Sequence, residues 1–514
     1  GGGGGGFFLK IKIKNFLFII IFNLNSFLSL TDNEENIRFA FILSRTGAHS
    51  PSKLNQIIKD NNDIAYKDIF GYEWNGENEL TSVGKRQQYY LGYRNNLHYK
   101  NILYSEIYEP RELLSLASTC NKTIQSSYAN LHGLYENKNI ILTEKQIQRA
   151  IPPLNTNEGY INDKIELDRY NYSLPNNMQI VPVQTFYEKD HTYLLEKVEN
   201  CPNIKNFYDE NESLAKKKRE EILNYKSDNN NKSYGEILIE ILNEEKIFGQ
   251  NYDLNYLINN STFFKIMAET FICDYFEAVD LTKFTKKGIN IYKLLQMFEE
   301  YFGEISIGGG INNNKDERAN KTFDLSQKVN YNLLNSLLDW MKLRIDYDKK
   351  KKFNFLLYES PKFILYLSHH ESLESLYYFL KEIFGIKNAK NSLYVNFTSF
   401  IGIELYRKNK DDNEYSEKDF YIKLIYDNAQ LGNDIPYSDF YEKIKEKIVS
   451  YNEVEEFCKF NEIIVLNSGS NTRKIIGIIL ISIFPILALF TIFLLFRNRN
   501  VNKYNNFPEE VLNE

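Results

Sequence analysis

Basic excess and cysteine are what this 514-residue chain has little of, and each shortage removes a class of function. Lys and Arg total 62 against 68 Asp and Glu, a formal net charge of −6, so no polyanion-binding surface is expected and nucleic acid is excluded as a partner. The four cysteines contain no C-x-x-C pair, and neither they nor the six histidines fall at zinc-module spacings, so no metal and no cofactor is expected. Asn, Lys, Ile and Tyr outweigh Ala and Gly, which records coding bias, and Lys-rich or Asn-rich runs therefore carry little weight.

What is present begins with length: the chain can bury one large core with an insertion, or two to three domains. Two apolar segments predict its compartment. Lys10, Lys12 and Lys14 precede NFLFIIIFNLNSFLSL, a stretch interrupted by Asn23 and Asn25 that reads as a secretory signal over residues 1–30. Residues 475–496, IIGIILISIFPILALFTIFLLF, carry no charge and at about 1.5 Å per residue cross a hydrocarbon core of roughly 30 Å. Pro485 is tolerated in such a span. The cleaved signal delivers residues 31–474 to the lumen and leaves 497–514 as a cytoplasmic tail, a single-pass type I membrane protein. Sequons begin at Asn121, Asn171, Asn211, Asn231, Asn259, Asn260, Asn320 and Asn396, all before the span. Cys120, Cys201, Cys273 and Cys458 also precede it, and an even count in an oxidising compartment predicts two disulfides, with three pairings open.

Within the lumenal part, Ile37 to Ser44 reads as a strand ending in a Gly-Pro loop, Arg45-Thr46-Gly47-Ala48-His49-Ser50-Pro51. Residues 80–99 read as a helix opened by Thr81, and Lys122 to Leu134 as another. Strand, loop and helix in that order predict an α/β domain built from 31–154 and 331–470. Residues 155–330, polar and amphipathic without strand-like runs, predict a mostly helical insertion. Strand character returns in KFNFLLY and KFILYLS, the second running into His369, His370 and Glu371 at the start of a helix. Ligands of α/β sheets collect outside the carboxyl ends of strands, where helix N-termini favour anions.

In their order these motifs resemble the histidine acid phosphatase family, its membrane-anchored lysosomal branch in particular. The family's R-H-G-x-R-x-P falls on Arg45 to Pro51, and its L-T-x-x-G-x-x-Q with L-G on Leu80, Thr81, Gly84, Gln87, Leu91 and Gly92. The segment of Arg followed by T-[IL]-x-S falls on Lys122, Thr123, Ile124 and Ser126, with Gly133 to Tyr135 after it. IVPVQTFYEKD and Cys201-Pro202 resemble the start of the family's inserted region, the His-Asp signature falls on His370-Glu371, and Glu404-Leu405 with YIKLIYDN resemble the closing strands. His369-His370-Glu371 also resembles the His-Ala-Glu variant of inositol polyphosphate phosphatases, so which histidine aligns stays open.

The resemblance implies a phosphoglycerate-mutase-like sheet with helices on both faces, and phosphomonoester hydrolysis in two steps. A histidine attacks phosphorus, three arginines hold the equatorial oxygens bidentately, and the acid beside the second histidine protonates the leaving alcohol. On this sequence the roles fall on Thr46 as nucleophile position, on Arg45, His49 and Lys122 as phosphate binders, and on His370 with Glu371 as proton donor. Thr46 lacks an imidazole, His49 and Lys122 lack the guanidinium fork, and Arg45 alone keeps its type. The expectation is a glycoprotein of lysosome, endosome or cell surface that binds a phosphate-containing small molecule or another anion, with hydrolysis lost or strongly reduced and a homodimer left open. Tyr504 to Phe507, YNNF, resembles a Tyr-x-x-apolar sorting signal. The alternatives are an active acid phosphatase with a substitute nucleophile, and a surface glycoprotein that uses the old pocket for an anion or a protein partner.

Overall fold

The computed structural model describes residues 37–458 apart from 59–63, 101, 136–140, 151–172, 175–177, 186–200, 202, 228–230, 306–316, 351–360, 387–393 and 409–415. The expected signal, membrane span and tail, the sequon at Asn171 and the KFNFLLY strand lie outside the described residues. Among the described residues no helix is long and apolar enough to cross a membrane.

The first strand, β1 (Ile37–Arg45), organises the molecule because both of its faces are apolar. Phe39, Phe41 and Leu43 point to one side of the sheet, and Ala40 and Ile42 to the other, as a period of two requires. A small antiparallel meander follows, β2 (Asn55–Ile58), β3 (Ile64–Lys67) and β4 (Glu73–Trp74), then helix α1 (Ser82–Tyr99), β5 (Leu113–Ala117), α2 (Asn121–Leu134), α3 (Glu144–Ala150) and β6 (Val183–Thr185). Later come β7 (Phe363–Ser368), β8 (Phe400–Arg407), β9 (Phe420–Tyr426), β10 (Ala429–Gln430) and β11 (Ile435–Pro436). The main sheet runs β10-β9-β8-β1-β7-β5-β6, with β11 also on β9. Strands β1, β7, β5 and β6 are parallel, whereas β8 and β9 return antiparallel to β1, so the sheet is mixed.

Helices α1 and α2 cover one face. Thr81 caps α1 as its position predicts, accepting from the Gly84 N–H at 3.1 Å. The two helices approach closely because glycine stands on each: a Cβ on Gly92 would meet the Asn130 carbonyl oxygen at 1.8 Å, and one on Gly133 the Tyr89 oxygen at 2.0 Å. The other face is covered by α11 (Glu317–Lys350) and α12 (His370–Phe384), whose Leu333, Leu337, Leu373 and Leu376 pack on Phe39 and Phe41. Each of those fully buried side chains contributes about 1.5–3 kcal/mol.

Residues 203–305 form a helical layer: α4 (Asn203–Glu210), α5 (Glu212–Leu223), α6 (Tyr234–Glu245), α7 (Leu254–Asn259), α8 (Ser261–Phe276), α9 (Thr282–Lys286) and α10 (Ile291–Ile305). Its core includes Phe264, Phe271, Phe284 and Phe298, and Ala48 of the loop after β1 packs into the same cluster. Two details of this region differ from the sequence expectation. Val183–Thr185 pairs with β5 at the edge of the main sheet, a strand too short for periodicity to reveal. Residue 330, read as a boundary, lies inside the continuous helix α11. The last helices, α13 (Tyr437–Lys447) and α14 (Tyr451–Cys458), end at a disulfide between Cys201 and Cys458 that closes 257 residues of sequence. Of the two bridges expected, this one forms and Cys120 and Cys273 are free: Cys120 Sγ lies 3.9 Å from His369 Nε2, and Cys273 lines the cavity described next.

Candidate functional site

Three parallel strands end side by side, and each hands its chain to the same place. Arg45 at the end of β1 pairs in register with Ser368 at the end of β7, and Ala117 of β5 with Leu367. The Thr46 N–H donates to the Ser368 carbonyl at 3.2 Å, and the Ser118 N–H to that of Leu367 at 3.1 Å. The loop after β1, the start of α2 after β5 and the start of α12 after β7 are thereby brought together, the carboxyl-end position that favours an anion.

The Arg45–Ser50 loop is gripped by α1 and α2. Gln88 Nε2 donates to the Arg45 carbonyl at 2.7 Å, the Ala48 N–H donates to Gln87 Oε1 at 2.9 Å, and the Gly47 N–H donates to Ser126 Oγ at 3.2 Å. Gln87 and Ser126 thus hold backbone. Gly47 is required by close approach: a Cβ there would meet the Gly84 carbonyl oxygen at 2.3 Å, and one on Gly84 would meet the Ala48 oxygen at 2.0 Å. Neither contact can be relieved by a side-chain rotation. Gly47→Ala is therefore expected to destabilise the fold by about 1–3 kcal/mol, read from a denaturant melt, where an ordinary loop glycine would cost under about 1 kcal/mol.

The loop opens on a cavity of about 550 Å³. From the sheet side Arg45, His49, Lys122, His369, His370 and Glu371 line it, so all the sequence-predicted site residues except Thr46 converge there. Thr46 is 2% exposed and does not line the cavity. The opposite wall comes from the helical layer and from the segment before β8, with Tyr208, Lys265, Glu269, Cys273, Tyr394 and Phe397. None of these six was marked by sequence reasoning. Glu269 and Cys273 sit on α8, whose pattern is that of a core helix, and Tyr394 and Phe397 belong to a stretch whose one motif is the sequon at Asn396, which points to the surface.

Arg45 is buried and already engaged. Its guanidinium donates to the Val395 carbonyl and lies 4.2 Å from the Phe397 ring centroid and 5.5 Å from that of Tyr394. Burial alone would lower its pKa, but Tyr394, then Cys273 and Glu374, hold it raised. His49 Nδ1 lies 2.8 Å from the Ser50 carbonyl, to which it must donate, and Nε2 accepts from Lys122 Nζ at 3.2 Å. Burial, and next the Lys122 cation, push its pKa well below the ordinary histidine value, in keeping with a neutral ring. Lys122 is itself lowered by burial. His369 caps α12, with Nε2 3.9 Å from Cys120 Sγ. His370 Nδ1 lies 3.1 Å from Glu371 Oε2; burial takes His370 down to about 4, while Glu371, which burial would raise, is held low by His370 and His369. The cavity thus mixes three basic side chains, Arg45, Lys122 and Lys265, with three carboxyl groups, Glu269, Glu371 and Glu374.

The parallel strand ends thus gather a buried arginine, a lysine and a histidine-carboxyl pair around one cavity. The model of the histidine phosphatase superfamily (branch 2) matches residues 17–427, and the chain belongs to that family, as its ordered motifs imply. Among solved structures it is similar to the phytase of Klebsiella sp ASR1, at 11% identity over 80% of this chain and 96% of that one with a TM-score of 0.41. It is likewise similar to the phytase of Citrobacter braakii, at 12% over 80% and 98% with a TM-score of 0.44. The multiple inositol polyphosphate phosphatase of Bifidobacterium longum, in complex with inositol hexasulfate, is 10% identical over 77% and 87% with a TM-score of 0.40. No curated protein matches the chain.

Proposed function

We propose that this protein is a membrane-anchored member of its family that binds a singly phosphorylated small molecule, or another small anion, and has lost most or all of its hydrolytic activity. Family membership fixes the scaffold, and the function has to be argued from the groups present. The observation that carries the reading is Thr46: the position of the attacking imidazole holds a buried hydroxyl outside the cavity. The neighbouring groups support it. Arg45 is committed to Val395 and two aromatic rings, and His49 presents its lone pair to Lys122. Three carboxyl groups against three basic side chains suit one phosphoryl group better than a polyphosphate.

Inorganic phosphate or tungstate is expected to raise the melting temperature of the chain in proportion to the logarithm of its concentration, and Lys122→Met to abolish that dependence. A melting temperature indifferent to both anions would leave the pocket without a ligand of this class. The reading also places residues 31–474 in the lumen or outside the cell, with the chain in the lysosome, the endosome or the cell surface. The Cys201–Cys458 bridge agrees with an oxidising compartment. Asn121, Asn231, Asn320 and Asn396 are exposed, whereas Asn211 is 8% exposed. Treatment of the native protein with an endoglycosidase is expected to lower its apparent mass, and peptide mapping to find Asn211 bare; an unshifted band would remove the lumenal placement.

A further inference from the structure

We propose that His49, Glu269 and Cys273 form a binding site for a divalent transition cation of the zinc class. One ligand atom from each lies within 4.8 Å of the others, on the cavity wall. Bonds of about 2.0–2.3 Å to a tetrahedral ion set neighbouring ligand atoms roughly 3.3–3.8 Å apart, so closure needs a contraction of about 1 Å. Half-buried Glu269 has the freedom to supply it.

Three features make this more than a chance grouping. Glu269 and Cys273 are four residues apart on α8, so their side chains share one face, one turn above the other, and His49 meets them from the loop after β1. His49 is oriented as a ligand: its Nδ1–H is spent on the Ser50 carbonyl, which leaves Nε2 with the lone pair, the arrangement that fixes tautomer and ring in metal-binding histidines. Glu269 has a supporting donor too, the Ser52 hydroxyl. The donor set of imidazole, thiolate and carboxylate selects zinc or cobalt over magnesium or calcium, and its three members leave the fourth position of a tetrahedral ion to face the cavity.

Charge also closes. Cys273 binds as the thiolate and releases its proton to solvent, and with the Glu269 carboxylate it supplies two negative charges against the ion's two positive ones. The Lys122 ammonium, 3.2 Å from Nε2, is what the ion displaces. Nothing in this depends on whether the chain hydrolyses phosphate.

The test uses the full chain, freed of metal with a chelator and titrated with Zn²⁺ alone and separately with Co²⁺ alone. Zn²⁺ is expected to raise the melting temperature, and Co²⁺ to give a thiolate-to-metal charge-transfer band in the near ultraviolet. His49→Ala, Glu269→Gln and the near-isosteric Cys273→Ser are each expected to weaken binding about tenfold or more, with the band lost in Cys273→Ser and kept in Cys120→Ser. Circular dichroism of the metal-free variants establishes that they are folded, and Glu269→Gln, whose side chain is half-buried, provides a second readout should Cys273→Ser unfold. A wild-type chain that shows neither shift nor band, or a band that survives Cys273→Ser, overturns the proposal.

Discussion

Phosphate release from an aryl phosphate by the purified chain is expected to match a buffer blank at acid and at neutral pH. Removing the nucleophile of a hydrolase costs on the order of 10⁶ in turnover, or about 8 kcal/mol of barrier. The surroundings of Thr46 offer no compensation. A threonine hydroxyl needs an adjacent base, and Thr46 is buried with its backbone tied to Ser368 and Thr398. Thr46→His alone is expected to stay at the blank rate, since Arg45 is committed elsewhere and neither His49 nor Lys122 offers a bidentate fork. The triple variant with Thr46→His, His49→Arg and Lys122→Arg is expected to rise above it. A wild-type turnover near one per second or above would refute the loss of chemistry, and activity in the single variant would show that the present cations clamp phosphate well enough.

The sheet side of this site was readable because each of its pieces is local in sequence. Ile37 to Ser44 followed by a Gly-Pro loop, Thr81 capping α1, and His369 to Glu371 opening α12 each announce a strand end or a helix start within ten residues, and the structure places all three, the strand running one residue further to Arg45. The far wall was not readable. Cys273 and Glu269 lie on α8 among Phe264, Met267 and Phe271, and a few polar side chains in an otherwise apolar helix give the pattern of a core element. Their meeting with His49 depends on how the helical layer sits over the strand ends, which no periodicity encodes. The cysteine count misled in the same way: parity predicted two bridges, while the fold sends Cys120 toward His369 and Cys273 toward His49. The edge strand Val183–Thr185 escaped for a different reason, since three residues cannot display a period of two.

Acid is expected to destabilise this protein through Glu404 more than through any exposed carboxylate. Glu404 sits 1% exposed in β8, against Ile37–Arg45, and accepts from the Tyr99 hydroxyl at 2.7 Å, with His98 Nε2 at 3.2 Å. Burial would raise its pKa, but His98 and Tyr99 outweigh burial and hold it below the ordinary glutamate value. A carboxyl depressed in the folded state stabilises that state fully above its unfolded pKa, about 4.3, and the contribution is lost as the pH falls through the folded value. Glu404→Gln keeps an acceptor for Tyr99 without the charge, so its stability should fall less steeply than the wild type's as acid is added. Glu404→Ala leaves the Tyr99 hydroxyl and the His98 ring facing a hole between α1 and the sheet, and removing one partner of a buried pair costs about 3–5 kcal/mol. Denaturant melts across the acid range measure both effects. Parallel pH slopes for the wild type and Glu404→Gln would mean that the acid sensitivity arises elsewhere. A loss under about 1 kcal/mol for Glu404→Ala would mean that water replaces the carboxylate, and that α1 is held on the sheet by Tyr99 against Phe363 of β7 instead.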